Sequence, residues 1–357
     1  MKKSSLLFLI FFILLTAAPI PVFYSFREQI GYKNTENKAQ SEFPTITGRD
    51  YSTWPRRFEE WLSDTLPFKT QFIELYRGTQ LRAGLDYRGS DVIRGKEENL
   101  FYRVTVENYK GLTRFGEAEL QTIEDNLNGF IERLDPMGTK CLLYIAPDKE
   151  QVYSRFMPDA IRRISAESRA DQVVSGLAGR VDIPVIYPKE ELRELSAKAP
   201  VYFSTDTHWN ELGGWIAAGQ IRAAFAGEEY TAGIPTFEFA SEEGKDLALM
   251  LGLSERISEE NAVRIDYDDG VTPQKTQTIE HGTVQRFVSD APEHKKLMLL
   301  GDSFSEYCLR SAIHDVDEVL FVTYGQLSLI DLEVERPDYL VIMLVERNLP
   351  FLLNGFY

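Results

Sequence analysis

Five short, unbroken apolar runs constrain this chain more than any other feature. They are residues 141–146, 183–187, 297–300, 319–322 and 339–345. A run of this length, bounded by polar turns, fits a strand covered on both faces, and such strands belong to parallel sheets. Helical patterns lie between them. Leu120, Ile123, Leu127, Phe130, Ile131 and Leu134 share one face of a helix over 117–134. A second helix reads around residues 171–174, and a third over 211–225 with Asn210 as its N-cap. Strands alternating with helices predict an α/β fold built on a doubly wound, parallel, five-stranded sheet.

In such sheets ligands bind beyond the carboxyl ends of the strands. Asp148-Lys149 follows the first run, Gly325 the fourth and Glu346-Arg347-Asn348 the fifth. The third run ends in Gly301-Asp302-Ser303-Phe304, and a helix starts near Ser305. A serine at a strand-to-helix junction sits among outward-pointing N–H groups, at the positive end of the helix. That setting suits a nucleophile whose reaction builds an oxyanion.

Serine needs a base, and the chain has four histidines: His208, His281, His294 and His314. His208 lies in Thr205-Asp206-Thr207-His208-Trp209-Asn210. A spacing of two puts the Asp206 and His208 side chains on one side of an extended segment. The expectation is a Ser303–His208–Asp206 triad. The same residues also suit plainer roles: an ordinary Gly-Asp-Ser turn, an aspartate capping a loop, and a histidine packed against Trp209. Asp302 reads as a turn or helix-start acceptor. Tyr307, one helical turn past Ser303, is within reach of the cleft.

The remaining segments set the organisation. The chain reads as a basic start (Lys2, Lys3) with an apolar run to residue 24, a polar stalk over 25–50, and one domain over 51–357. The apolar run is about long enough to span a bilayer. It is expected to be an uncleaved anchor with an extracytoplasmic body, the alternative being a cleaved secretory signal. Residues 227–296 break the α/β rhythm. They are strongly acidic, contain β-like fragments at 236–239 and 262–265, and read as a surface insertion with a solvated acidic face. No EF-hand spacing and no Cys/His cluster points to a metal. Cys141 and Cys308 are the only cysteines and are expected to be separate buried thiols. The net charge of −16 argues against nucleic acid.

Several ordered motifs resemble one family. Gly301-Asp302-Ser303-Phe304 is similar to the nucleophile block of SGNH-type esterases and acyltransferases. Gly325 and Asn348 fall near the positions of that superfamily's oxyanion-hole glycine and asparagine, although Glu346-Arg347-Asn348 departs from its Gly-x-Asn-Asp pattern. The choice between Arg347 and Asn348 stays open. The Asp/His loop precedes the serine block, the reverse of the usual order, as in a circular permutation. This order, with Pro147-Asp148-Lys149, Tyr153 and Met157-Pro158, resembles the AlgX/AlgJ-like and DHHW-type alginate O-acetyltransferase group. Gly244-Lys245-Asp246-Leu247 resembles its "GDL" element with one residue inserted. Segments 64–68 and 95–102 resemble its N-terminal motifs, with Asn99 where a tryptophan is usual.

The resemblance implies a circularly permuted SGNH-hydrolase-like domain with a β-containing acidic insertion. It implies a serine-dependent O-acetyltransferase acting through an acetyl-serine on an exported polysaccharide. A membrane-bound acyltransferase would stand on the donor side, and the reaction would need no metal or diffusible cofactor. The alternatives are a polysaccharide acetyl esterase using the same triad, and a non-catalytic envelope assembly protein.

Overall fold

The structure is a computed structural model that describes residues 3–17, 21–22, 25, 41–45, 51–66, 68–231, 233–267, 269–279 and 283–356. The end of the apolar N-terminal run, most of the 25–50 stalk and His281 lie outside the described residues. The chain divides into two units, Met1–Val92 with Gly244–Ile257, and Ile93–Glu243 with Ser258–Tyr357. The division falls inside the range 51–357 read as a single domain.

The strands are β1 (Val92–Arg94), β2 (Leu100–Tyr102), β3 (Lys140–Ala146), β4 (Val185–Ile186), β5 (Phe237–Glu243), β6 (Ser258–Ile265), β7 (Gln274–Ile279), β8 (Val284–Val288), β9 (Glu293–Gly301), β10 (Val316–Thr323) and β11 (Tyr339–Val345). The main sheet runs β4-β3-β11-β9-β10-β8-β7. Its first five strands are parallel and are the five apolar runs.

Alternate residues of these strands feed two cores. Leu142, Tyr144, Leu299, Phe321, Val341 and Met343 face one, and Leu143, Ile145, Leu300, Leu320, Ile342 and Leu344 the other. The first core is closed by the helices Glu211–Ala226 and Ser305–Asp315 through Leu212, Ile216, Cys308 and Ile313. The second is closed by Glu117–Leu134 and Arg169–Leu177 through Ile123, Leu127, Phe130 and Val173. The sheet is therefore doubly wound. Each fully buried aliphatic side chain contributes roughly 1.5–3 kcal/mol. This is why the central runs carry no polar residue. Cys141 and Cys308 are both buried and unbridged, as expected, and burial pushes the Cys141 thiol up to about 12.

The 227–296 segment differs from the expected surface insertion. β5 and β6 do form a separate antiparallel pair. β7 and β8, however, extend the main sheet to seven strands. β8 lies antiparallel against β10, from Val284↔Val322 to Val288↔Glu318, and β7 pairs β8. Together they cover an edge of β10 that would otherwise expose unpaired backbone groups. Neither carries an apolar run, because β7 is the exposed edge strand and β8 beside it is only partly buried.

In the smaller unit, the Lys69–Arg82 helix is tied to the Gly244–Ile257 segment by Arg256 Nε and Glu74 Oε1 at 2.8 Å. The Trp54–Asp64 helix presents Trp54 and Phe58 in a stack, centroids 5.0 Å apart. Its Asp64 carboxylate accepts the Ser41 hydroxyl at 2.6 Å. The Lys3–Ala17 helix has 15 residues. Among the described residues no helix is long and apolar enough to cross a membrane.

Candidate active site

At the end of β9 the chain makes a turn that only glycine allows. A Cβ on Gly301 would fall 2.5 Å from the Met343 carbonyl oxygen of β11 and 2.2 Å from Ser305 Oγ. Asp302 holds the turn that follows. Its Oδ1 accepts the Phe304 N–H at 3.0 Å. Its Oδ2 accepts the Val345 N–H and the Asn348 side-chain amide, each at 2.8 Å. Ser303 is left exposed at the crest, two residues before the Ser305–Asp315 helix.

The histidine arrives from a different part of the chain. Asn210 caps the Glu211–Ala226 helix, its side chain accepting the Gly213 N–H at 3.2 Å. Trp209 is fully buried and donates from Nε1 to the Phe304 carbonyl at 2.9 Å. That bond docks the loop before the helix directly onto the serine turn. His208 Nε2 then lies 2.7 Å from Ser303 Oγ, and His208 Nδ1 lies 2.7 Å from Asp206 Oδ1. Asp206 Oδ1 also accepts the His208 backbone N–H at 3.1 Å. Burial works against the Asp206 charge, but the hydrogen bonds from His208 outweigh it and hold the carboxyl below its usual range. The Asp–His–Ser chain of contacts fits a general base acting on a hydroxyl nucleophile.

The two helices that carry these loops approach closely. A Cβ on Gly214 would fall 2.4 Å from the backbone carbon of Tyr307. Tyr307 itself is half-buried, edge-on to Phe203 at 5.4 Å, with the Arg310 guanidinium 5.1 Å from its ring centre. Burial, reinforced by the nearby Asp206 carboxylate, raises its phenol pKa.

Gly325 lies two residues past Thr323, whose partner across the sheet is Gly301. It has a φ of +85° and open space where a side chain would be. The Asn348 amide is anchored on Asp302, beside Ser303, and an amide nitrogen carries a second hydrogen that Asp302 does not take. Arg347 takes different partners. Its guanidinium pairs with Asp148 Oδ1 at 3.0 Å, reaches Thr207 Oγ1 at 3.4 Å and lies 5.2 Å from the Phe304 ring centre. Burial opposes its charge, but Asp148 and Asp302 outweigh that and raise its pKa. Of the two residues left open by the sequence, Asn348 stands next to the serine turn, and Arg347 braces the histidine loop against the end of β3.

The comparisons with known proteins bear on this arrangement. The family model described as the SGNH hydrolase-like domain of the acetyltransferase AlgX matches residues 92–312, more than half of the chain. The chain belongs to this family. A curated relative, the probable alginate O-acetylase AlgJ of Pseudomonas syringae pv. tomato, is 29% identical over 193 residues, 51% of this chain and 45% of the relative. The chain thus spans about half the length of the curated relatives it matches. Among solved structures, Bacillus cereus PatB1 with a sulfonyl adduct superposes with a TM-score of 0.55 at 14% identity, over 74% of this chain and 98% of that one. A DHHW family protein from Eubacterium siraeum gives a TM-score of 0.54 at 14% identity, over 74% and 95%. The family match shows the SGNH hydrolase-like class of fold, and the two solved structures share the fold of this chain.

The burial of three ionic residues around this site escapes a reading of the sequence. Glu346 is inaccessible and accepts from Asn108 at 2.8 Å and from the Tyr187 hydroxyl at 2.9 Å. Lys149, noted only as part of a motif, is buried among backbone carbonyls, and burial pushes its pKa down to about 8. Glu259 belongs to the segment expected to present a solvated acidic face, yet it is inaccessible. It sits beneath the Asp206 loop, accepting from Ser204 and Thr205. Nothing in Ser258-Glu259-Glu260-Asn261 distinguishes the buried acid from its exposed neighbour.

Proposed function

We propose that the protein is a serine-dependent O-acetyltransferase that modifies hydroxyls of an exported polysaccharide. The observation that carries this reading is the Asp206–His208–Ser303 relay, with 2.7 Å at both links and the serine exposed. Ser303 Oγ attacks an acetyl ester carbonyl while His208 Nε2 takes the hydroxyl proton. Asp206 holds the imidazolium that forms. The oxyanion is met by the Ser303 and Gly325 N–H groups and the Asn348 amide. As the tetrahedral adduct collapses, His208 returns the proton to the departing group, leaving acetyl-Ser303. A sugar hydroxyl then attacks this ester, His208 takes its proton, and collapse releases the acetylated sugar and restores Ser303. Every bonding change occurs at these side chains and the two substrates.

The family and its AlgJ relatives support polysaccharide O-acetylation as the reaction class. The acetyl group is proposed to come from a membrane-bound O-acyltransferase, with the apolar run 6–24 attaching the protein to the membrane beside it and the body outside. The test is incubation of the protein with 4-nitrophenyl acetate, with and without acceptor oligosaccharide, followed by mass analysis. Acetyl-Ser303 and Ser303-dependent transfer to sugar are expected, and Ser303→Ala should abolish both. Retained transfer in Ser303→Ala refutes the reading, whereas Ser303-dependent hydrolysis without transfer makes the protein an esterase.

A further inference from the structure

Two buried, oppositely charged side chains that the acyl-transfer scheme does not use grip the Asp206 loop from two sides. Lys149, on the turn after β3, directs its ammonium at three carbonyl oxygens: Leu100 and Ser204 at 2.8 Å and Asp206 at 3.2 Å. An ammonium has three donors, and here each meets an acceptor. Its nitrogen also lies 5.0 Å from the Phe101 ring centre on β2. Glu259, on β6, faces donor groups of the same loop, sharing Ser204 with Lys149. Its Oε1 accepts the Ser204 N–H at 2.9 Å, the Ser204 hydroxyl at 2.8 Å and the Asn261 N–H at 2.8 Å. Its Oε2 accepts the Thr205 N–H at 2.7 Å and the Thr205 hydroxyl at 2.5 Å.

Carbonyls of 204 and 206 are thus turned toward a cation, and amides of 204 and 205 toward an anion. The remaining charges acting on Lys149 are Glu150 on its own turn and Asp206 itself. Burying a charge pair is unfavourable enough that an apolar pair of similar volume would often serve folding as well. What an apolar pair could not supply is orientation. The direction of the 204–206 backbone decides where Asp206 Oδ1 sits, and that one oxygen receives both the ring and the backbone N–H of His208.

We propose that Lys149 and Glu259 are positioning residues for the triad, fixing the 204–206 backbone and so the angle at which Asp206 presents its carboxylate to His208. This rests on the reading of Ser303, His208 and Asp206 as an acyl-transfer site. Both residues act through Asp206 and touch no reacting atom. Their loss is therefore expected to lower the rate of acylation and to leave binding of the ester unchanged.

The test uses the full chain with Lys149→Met and Glu259→Gln, and Ile123→Ala as a destabilised control in the core on the opposite face of the sheet. Two readouts are taken: kcat and KM for 4-nitrophenyl acetate, and the low-field proton resonance of the Asp206–His208 hydrogen bond. Both variants should lose kcat about tenfold to a hundredfold, keep KM within about twofold, and shift or broaden the low-field signal. Ile123→Ala should lower the melting temperature and change neither readout. Folded Lys149→Met and Glu259→Gln proteins with wild-type kcat and an unmoved resonance overturn the proposal. Should either fail to fold, Thr205→Val removes the hydroxyl contact to Glu259 and carries the same test. It should lower kcat about threefold and move the resonance, and an unchanged resonance again refutes. If the wild type itself shows no Ser303-dependent turnover, the acyl-transfer reading fails, while the resonance still reports on the loop.

Discussion

Replacing Asp302 by alanine is the sharpest probe of the serine turn. The carboxylate accepts three hydrogen bonds, from Phe304 N–H at 3.0 Å and from Val345 N–H and Asn348 Nδ2 at 2.8 Å each. Hydrogen bonds to charged groups contribute about 1.5–3 kcal/mol each when buried. Asp302 is only partly buried, so water replaces part of what is lost. The expected loss of stability is about 2–4 kcal/mol, read as a drop in thermal midpoint. The catalytic effect separates from this. Without its anchor the Asn348 amide is no longer held beside Ser303, and removing one oxyanion donor lowers kcat about a hundredfold or more. Asn348→Ala should lower kcat by a similar factor, because both substitutions disable the same donor. The double variant should then lose little more than either single one. Steady-state hydrolysis of 4-nitrophenyl acetate by the four proteins, below their melting temperatures, decides the matter. A folded Asp302→Ala enzyme within a few-fold of wild type, or fully additive losses in the double variant, would show that the Asp302–Asn348 bond does not organise oxyanion binding.

Other outcomes follow from the same geometry. The Asp206 carboxyl is held below its ordinary value of 3.8 in the folded protein. Its contribution to stability is therefore complete above that value and disappears as pH falls through the lower folded pKa. Thermal midpoints of wild type and Asp206→Asn measured from pH 7 downward should differ by a constant amount to near pH 4 and converge in stronger acid. Gly214→Ala puts a Cβ 2.4 Å from the Tyr307 backbone. It should cost about 1–3 kcal/mol by forcing apart the helices that carry His208 and Ser303, and fluorophosphonate labelling of Ser303 should slow with it. Gly301→Ala meets the β11 backbone and should destabilise at least as much, seen in the same melting experiment.

Much of the fold was legible because its physical causes are local. Strands covered on both faces must be apolar at every position, so the five parallel strands stand out as continuous runs. Asn210 was legible as a cap because capping is settled within four residues. The triad was legible for a different reason. The chain has few histidines, and only one stands two residues from an aspartate in a loop at the rim of the predicted sheet.

What was not legible depends on partners far away in the chain. Whether an acid is solvated or buried is decided by what folds over it. Glu259 is buried because the 204–205 loop, some 55 residues earlier, supplies N–H and hydroxyl donors to satisfy it. Asn348 and Arg347 are adjacent in sequence and diverge only because Asp302, 46 residues before one, and Asp148, 199 residues before the other, capture them separately. β7 and β8 have no apolar run, and only the open edge of β10 gives them a place in the sheet. The sequence by itself determined the parallel core and singled out the serine, histidine and aspartate that the fold brings into contact. Only the tertiary structure decided which charges are buried around them, because a buried charge persists where distant donors and acceptors converge, and that convergence has no local imprint on the chain.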